Sequence, residues 1–268
     1  MNPIIYLLLL MSLSVGCTKN IVTGRKQLNL VSETELQTMA KQQYHTFLSE
    51  HTVVNVKVNK DAEMVRRVGT RIANAIQKFY DSKGLTSVLE GYEWEFNLID
   101  NKEANAWCMP GGKVVVYTGL LPITQNEAAL AVVIGHEIAH AVAQHGSERM
   151  SQGLLQQLGG VALQVALSNK PDQTQNLFMT AYGVGTTVGY LLPFSRKEET
   201  EADEYGLYFS AMGGYNPQEA VAFWQRMMAA AGAKPPEFLS SHPADETRIA
   251  NIQKFMPQAM KYYKPIQR

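Results

Sequence analysis

"VVIGHEIAHAVAQHG", Val132 to Gly146, carries His136, Glu137 and His140 in the order H-E-x-x-H. The residues before it, Ala129 to Ile134, form an apolar run of helical length, so the spacing predicts a helix over roughly Asn126 to His145. Residues four apart on a helix share a face about one turn apart. His136 and His140 can therefore aim two imidazole nitrogens at one point, and imidazole is a natural neutral ligand for zinc. Glu137 lies about 100° around the helix from His136. From there its carboxylate can take a proton from a water activated at the metal without binding the metal itself.

A zinc that does chemistry keeps a third protein ligand and one open position. A third histidine in the metzincin pattern needs Gly at 143 and His at 146, where this chain has Ala143 and Gly146. His145 is one position off and reads as a capping or surface histidine. The other solution is a glutamate on a downstream helix. "SRKEETEADEYG", 195–206, supplies it on a helix expected over about 198–212. Glu199 and Asp203 are four apart there, Glu199 as ligand and Asp203 as acceptor for the free N–H of a ligating histidine. Glu198 and Glu201 are the competing ligands, and helical spacing turns them away from the Glu199–Asp203 side.

Outward from this pair, the chain reads as α+β and mainly helical. Ser32 and Glu35 form a capping box that opens a helix to about Glu50. "DAEMVRRVGTRIANAIQKFY", 61–80, places Met64, Val65, Val68, Ile72, Ile76 and Phe79 on one helical face. "YEWEFNLID" alternates, with Trp94, Phe96 and Leu98 on one side, and reads as a half-buried strand. "MPGGKVVVYTG" reads as a turn and a second strand, and the two strands can pair as a small antiparallel sheet beside the H-E-x-x-H helix. Residues 151–193 are apolar and glycine-rich, but short and polar-interrupted for a bilayer span, and read as a buried helical pair or a flap. Further helices are expected over 217–231 and from Asp245 to about Phe255.

The 268 residues suit one domain, over 33–268, and 46% hydrophobic residues suit a real core. Lys+Arg and Asp+Glu are equal at 24 each, and no basic cluster is interleaved with aromatics, which argues against nucleic acid as a partner. Two cysteines, Cys17 and Cys108, do not make a disulfide framework. "IIYLLLLMSLSVGC", 4–17, has the length of an export-signal core rather than of a membrane span. The small residues before Cys17 resemble a bacterial lipobox, so residues 1–16 are expected to be a signal peptide, with Cys17 lipidated and 17–32 an extended arm off the membrane.

With these pieces together, the chain resembles the zincin-like gluzincin metallopeptidases of the HtpX and CAAX prenyl protease type. Within them it is most similar to the bacterial periplasmic lipoprotein branch of LoiP- and BepA-type enzymes. The residues carrying the likeness are 23–33, 104–121, 126–149, 195–206 and 240–249. The resemblance implies one Zn2+ per chain on His136, His140 and Glu199, and an endopeptidase acting on misfolded or unassembled cell-envelope proteins. A client-holding lipoprotein with latent protease activity is the alternative. It further implies that the stretch Gly112, Lys113, Val114, Val115 and Val116 is an edge strand that pairs with a peptide. It implies that His242 of "SHP" approaches the metal or the reacting carbonyl, and that Arg196 braces the Glu199 helix. The expected location is the bacterial cell envelope, facing the periplasm and held by the Cys17 lipid, most simply at the outer membrane. Oligomeric state is not legible.

Overall fold

The computed structural model describes residues 17–158, 163–184, 195–230, 236–243 and 247–266. The expected signal peptide, residues 159–162 and 185–193 of the stretch expected as a helical pair or flap, residues 231–235, and residues 244–246, where the helix expected from Asp245 would begin, lie outside them. A two-stranded hairpin opens the chain, β1 (Cys17–Lys19) antiparallel to β2 (Lys26–Leu28). Helix α1 (Glu33–Glu50) begins at the expected capping box, with Ser32 and Glu35 each bonding the other's backbone. Helix α2 (Lys60–Ser82) starts where the Asn59 side chain accepts from the N–H groups of Asp61 and Ala62. Its Val65, Val68, Ile72 and Ile76 are fully buried, as the 3.6-residue period requires.

The sheet corrects the sequence reading. β3 (Glu95–Ile99) pairs in parallel with β5 (Lys113–Tyr117), and β4 (Ala106–Met109) pairs antiparallel with β5, in the order β3-β5-β4. The expected antiparallel pair is thus a mixed sheet of three strands. β4 was hidden because "AWCM" is buried throughout and so shows no alternation of polar and apolar residues. β5 is the central strand, buried at every position. The expectation that Gly112 and Lys113 to Val116 form an exposed edge is therefore corrected: both edges of that strand are already paired. Two helical layers cover the sheet. Phe96, Leu98, Cys108, Val114 and Val116 belong to one core, shared with α2 and the motif helix. Trp107, Met109, Val115 and Tyr117 belong to a second core, shared with α1.

Helix α3 (Glu127–Val142) carries the motif. Asn126 caps it, accepting from the N–H of Ala129, and every residue from Ala129 to Val142 is buried. The expected long helix stops here. Gln144 adopts φ 58°, and a new helix, α4 (His145–Leu158), starts at the next residue. Short helices α5 (Leu163–Asn169) and α6 (Pro171–Ala181) follow. Buried Arg149 of α4 donates to the carbonyls of Ala181 and Thr180, closing the end of α6. No helix among the described residues is long and apolar enough to cross a membrane.

Helix α7 (Arg196–Met212) opens with a capping box between Ser195 and Glu198, which accounts for Glu198. It crosses α3 at two glycines. A Cβ on Gly135 would meet the Gly206 carbonyl oxygen at 2.6 Å, and one on Gly206 would meet the His136 Cα at 2.8 Å. α8 (Glu219–Ala229), the single-turn α9 (Glu237–Ser241) and α10 (Thr247–Tyr262) complete the fold. The architecture is mainly helical α+β, as the zincin-like reading expects.

Candidate metal centre

The glycine crossing brings α7 close enough for its side chains to reach the histidines of α3. Glu199 Oε1 lies 3.3 Å from His140 Nε2, and Glu199 Oε2 lies 3.5 Å from His136 Nε2. The two histidine Nε2 atoms are 3.0 Å apart. His242, which ends α9, adds its Nδ1 at 2.9 Å from Glu199 Oε1 and 3.3 Å from His136 Nε2. Donors around a tetrahedral zinc, at about 2.0–2.2 Å from it, stand about 3.3–3.6 Å from one another. His136, His140, Glu199 and His242 thus offer a buried set that fits such an ion. Asp203 Oδ1 is 3.0 Å from His136 Nδ1. A carboxylate can only accept, so Nδ1 carries a proton and Nε2 is the nitrogen turned toward the other donors. The structure brings Asp203 to the position its spacing from Glu199 suggested.

The electrostatics match a site built for a cation. Burial works against charge on Glu199, but His242 and Arg248 outweigh it and hold the carboxyl well below its usual range. Burial would also keep His136 neutral. The hydrogen bonds to Asp203 and Glu199 overcome it and raise His136 to about 9: two carboxylates here call for a positive partner. Burial dominates at His140, pushed well below the ordinary histidine range, and at His242, lowered to about 4. For both, burial favours the neutral imidazole, the form whose lone pair can serve a cation. Glu137 is 2% exposed and raised by burial to about 8. Its Oε1 has no hydrogen-bond donor among the described residues and lies 3.5 Å from His242 Nε2. It stands beside the donor set, not in it.

The place of Arg248, the burial of His145 and the contact it makes with Glu201 escaped the sequence reading. Arg248, which the sequence reading did not name, braces the Glu199 helix. Arg196 is exposed at the start of α7, whereas Arg248 of α10 is 4% exposed. Arg248 bonds Asp203 Oδ1 at 2.8 Å, pairs with Glu199 Oε2 at 2.9 Å and stacks on the Trp224 ring at 3.4 Å. The "DETRI" stretch contained this residue, but only the packing of α10 on α7 shows where it points. His145 is neither a cap nor on the surface: it is fully buried, 3.0 Å from His140. On one continuous helix it would lie about 140° around from His140; the break at Gln144 turns it inward. Glu201 faces away from the metal donors, as its spacing predicts, and meets His145 Nε2 at 3.0 Å.

Comparison with known proteins agrees with this geometry. Mitochondrial metalloendopeptidase OMA1 of Saccharomyces cerevisiae is 35% identical over 186 residues, covering 66% of this chain and 51% of that protein. The Schizosaccharomyces pombe protein of the same name is 30% identical over 240 residues, covering 89% of this chain and 66% of that protein. The beta-barrel assembly-enhancing protease of Escherichia coli is 31% identical over 166 residues, covering 60% of this chain and 34% of that protein. The chain spans about half to two thirds of the length of the two yeast relatives. These matches correct the expected location. The relatives matched at 35% and 30% are mitochondrial by name, which overturns the bacterial cell envelope and outer membrane, and the lipid expected on Cys17 loses that support. Residues 59–256, which hold all four candidate metal donors, match the description "Peptidase family M48". The chain belongs to peptidase family M48.

Proposed function

We propose that this chain is a zinc-dependent endopeptidase, with His136, His140 and Glu199 as metal ligands and Glu137 as general base. The observation that carries the reading is the convergence of three buried donors from α3 and α7, with a carboxyl beside them whose Oε1 has no hydrogen-bond partner among the described residues. Zinc, when bound, supplies a Lewis acid that polarises the scissile carbonyl and acidifies a water. The protein's own residues do the rest. Asp203 and Arg248 fix the orientation of His136 and Glu199. Burial is the main cause that raises the Glu137 carboxyl; a cation held by the neighbouring donors would favour its charged form, placing it to take a proton from water and to return it to the leaving amine. The substrates we infer are misfolded or unassembled proteins, by likeness to the family.

One segment supports a latent resting state. α9 delivers His242 to the metal donors, and the Phe238 N–H of the same helix donates to the Ala104 carbonyl at 3.0 Å, just before the edge strand β4. A peptide seeking a sheet edge would find it at Ala106–Met109, since β5 is enclosed and the outer side of β3 is bonded by Thr52 and Val54. Displacing α9 would free the fourth ligand position and the approach to that edge together.

The test is cleavage of casein by the wild-type chain, Glu137→Gln and His242→Ala, with zinc content measured for each. We expect Glu137→Gln to keep zinc and lose at least about 100-fold in rate, the low end of general-base contributions. We expect His242→Ala to keep zinc and to cleave faster than wild type. Equal cleavage by wild type and Glu137→Gln would refute the catalytic role. Loss of zinc in His242→Ala would favour a structural four-ligand site. Client binding without cleavage in any form would favour the holding function.

A further inference from the structure

Each metal-facing histidine has a second nitrogen that must be held. For His136 the holder is Asp203. For His140 it is a longer chain that ends on the N-terminal arm. His140 Nδ1 lies 3.0 Å from His145 Nδ1, and His145 Nε2 lies 3.0 Å from Glu201 Oε2. Glu201 in turn receives the Arg25 Nε–H, at 2.9 and 3.1 Å to its two oxygens. The other face of the same guanidinium grips Glu148 of α4 with two bonds, 3.0 and 2.7 Å. Arg25 therefore ties α4 to α7 beside the metal donors. The arm is anchored where α3 ends. Asn20 Nδ2 and Gln27 Nε2 both donate to the Ala143 carbonyl, at 2.9 and 2.8 Å, and Tyr205 of α7 donates to the Val22 carbonyl at 2.9 Å.

The direction of the protons follows from the donor inventory. The Glu201 carboxylate can only accept, so His145 donates from Nε2. A neutral His145 then has a bare Nδ1, which must accept from His140 Nδ1–H. That leaves the His140 Nε2 lone pair facing Glu199 and His136. The alternative tautomer would set two N–H groups or two lone pairs against each other at one of these contacts.

We propose that Arg25, Glu201 and His145 are positioning residues for the metal ligand His140, so that the N-terminal arm is part of the metal centre and sets how tightly the metal is held. The inference rests on the zinc reading above. It goes beyond that reading in reaching Arg25, which lies outside the matched family region 59–256. A merely structural staple would also tie the arm down, but its loss would lower stability without changing zinc affinity in the folded chain.

The experiment measures the zinc dissociation constant by competition with a chromogenic chelator, alongside the melting temperature of each zinc-free form. The proteins are wild type, Arg25→Gln, Glu201→Gln, His145→Leu and His145→Asn. Arg226→Gln is the control, because Arg226 holds the Ile123 and Thr124 carbonyls by a similar clamp on another part of the fold. Arg25→Gln and His145→Leu should weaken zinc binding about 10–100-fold, the range for outer-shell partners of a metal histidine. His145→Asn should recover much of this, because its amide oxygen can still accept from His140 Nδ1–H. Arg226→Gln should lower the melting temperature and leave zinc binding unchanged. If Arg25→Gln and His145→Leu bind zinc within twofold of a tightly binding wild type, the relay is wrong and the metal reading stands. If His145→Leu does not fold, Arg25→Gln and Glu201→Gln decide in the same way. A wild type that holds no zinc would bring down the metal reading and the relay with it.

Discussion

Arg248 is held between two carboxylates and an indole ring, and removing it should cost more than any surface charge. It is 4% exposed, pairs with Glu199 and Asp203 and lies over Trp224. Arg248→Met would leave two buried carboxylates facing each other without their cation. Breaking one side of a buried ion pair costs about 3–5 kcal/mol, so the zinc-free variant should unfold at markedly lower denaturant than the wild type. Saturating zinc should restore part of the difference, since the metal supplies positive charge to Glu199. If the zinc-free variant matches wild type in a urea melt, Arg248 is not the brace of this site. At the same scale, burial pushes the Cys108 thiol well above the ordinary range. Cys108 should resist iodoacetamide at pH 8 in the folded chain and react only after unfolding. Rapid labelling of the native protein would contradict its buried position.

The crossing of α3 and α7 decides which side chains can meet, and glycine makes it possible. With Gly135 and Gly206 in contact, the two backbones approach until any Cβ would overlap main-chain atoms. Main-chain atoms cannot rotate away as a side chain can. Gly206→Ala should therefore push the helices apart, at a cost of about 1–3 kcal/mol for overpacking. It should also weaken zinc binding, because Glu199 and Asp203 ride on the displaced helix. A Gly206→Ala chain of unchanged stability and zinc affinity would show that the crossing tolerates the shift. The caps are separable from this effect. Asn126→Ala removes the bond to the Ala129 N–H and should cost about 1 kcal/mol, read as a shift in the denaturation midpoint, while zinc binding stays as it was.

Across the whole molecule, a bound metal would join α3, α7 and the His242 turn, segments separated by 43 or more positions in the chain. A ligand that binds only the folded state stabilises it by mass action, by about 4 kcal/mol at a free concentration a thousand times the dissociation constant. Chelation with EDTA should accordingly lower the melting temperature, and added zinc should restore it. A melt indifferent to chelator would mean that no metal bridges these segments. The same long-range assembly explains what was legible in advance. The helix over 61–80, the capping box at Ser32, the H-E-x-x-H pair and the Glu199–Asp203 pair are all local. Their signals lie within one or two helical turns, where spacing along the chain fixes spacing in space. The sheet order, the buried inward turn of His145, and the reach of Arg25 and Arg248 are not local. A fully buried strand such as β4 carries no alternation to read, and a strand's neighbours are chosen by packing on both faces. One residue with a left-handed φ, Gln144, redirects the chain after the motif helix, and no period in the sequence announces it. The sequence alone thus determined the two helices that carry the metal donors and the residue types on their facing sides. Tertiary structure alone decided which strand is central, which arginine braces the site and how the N-terminal arm reaches His140, because those contacts join segments whose separation along the chain says nothing about their distance in space.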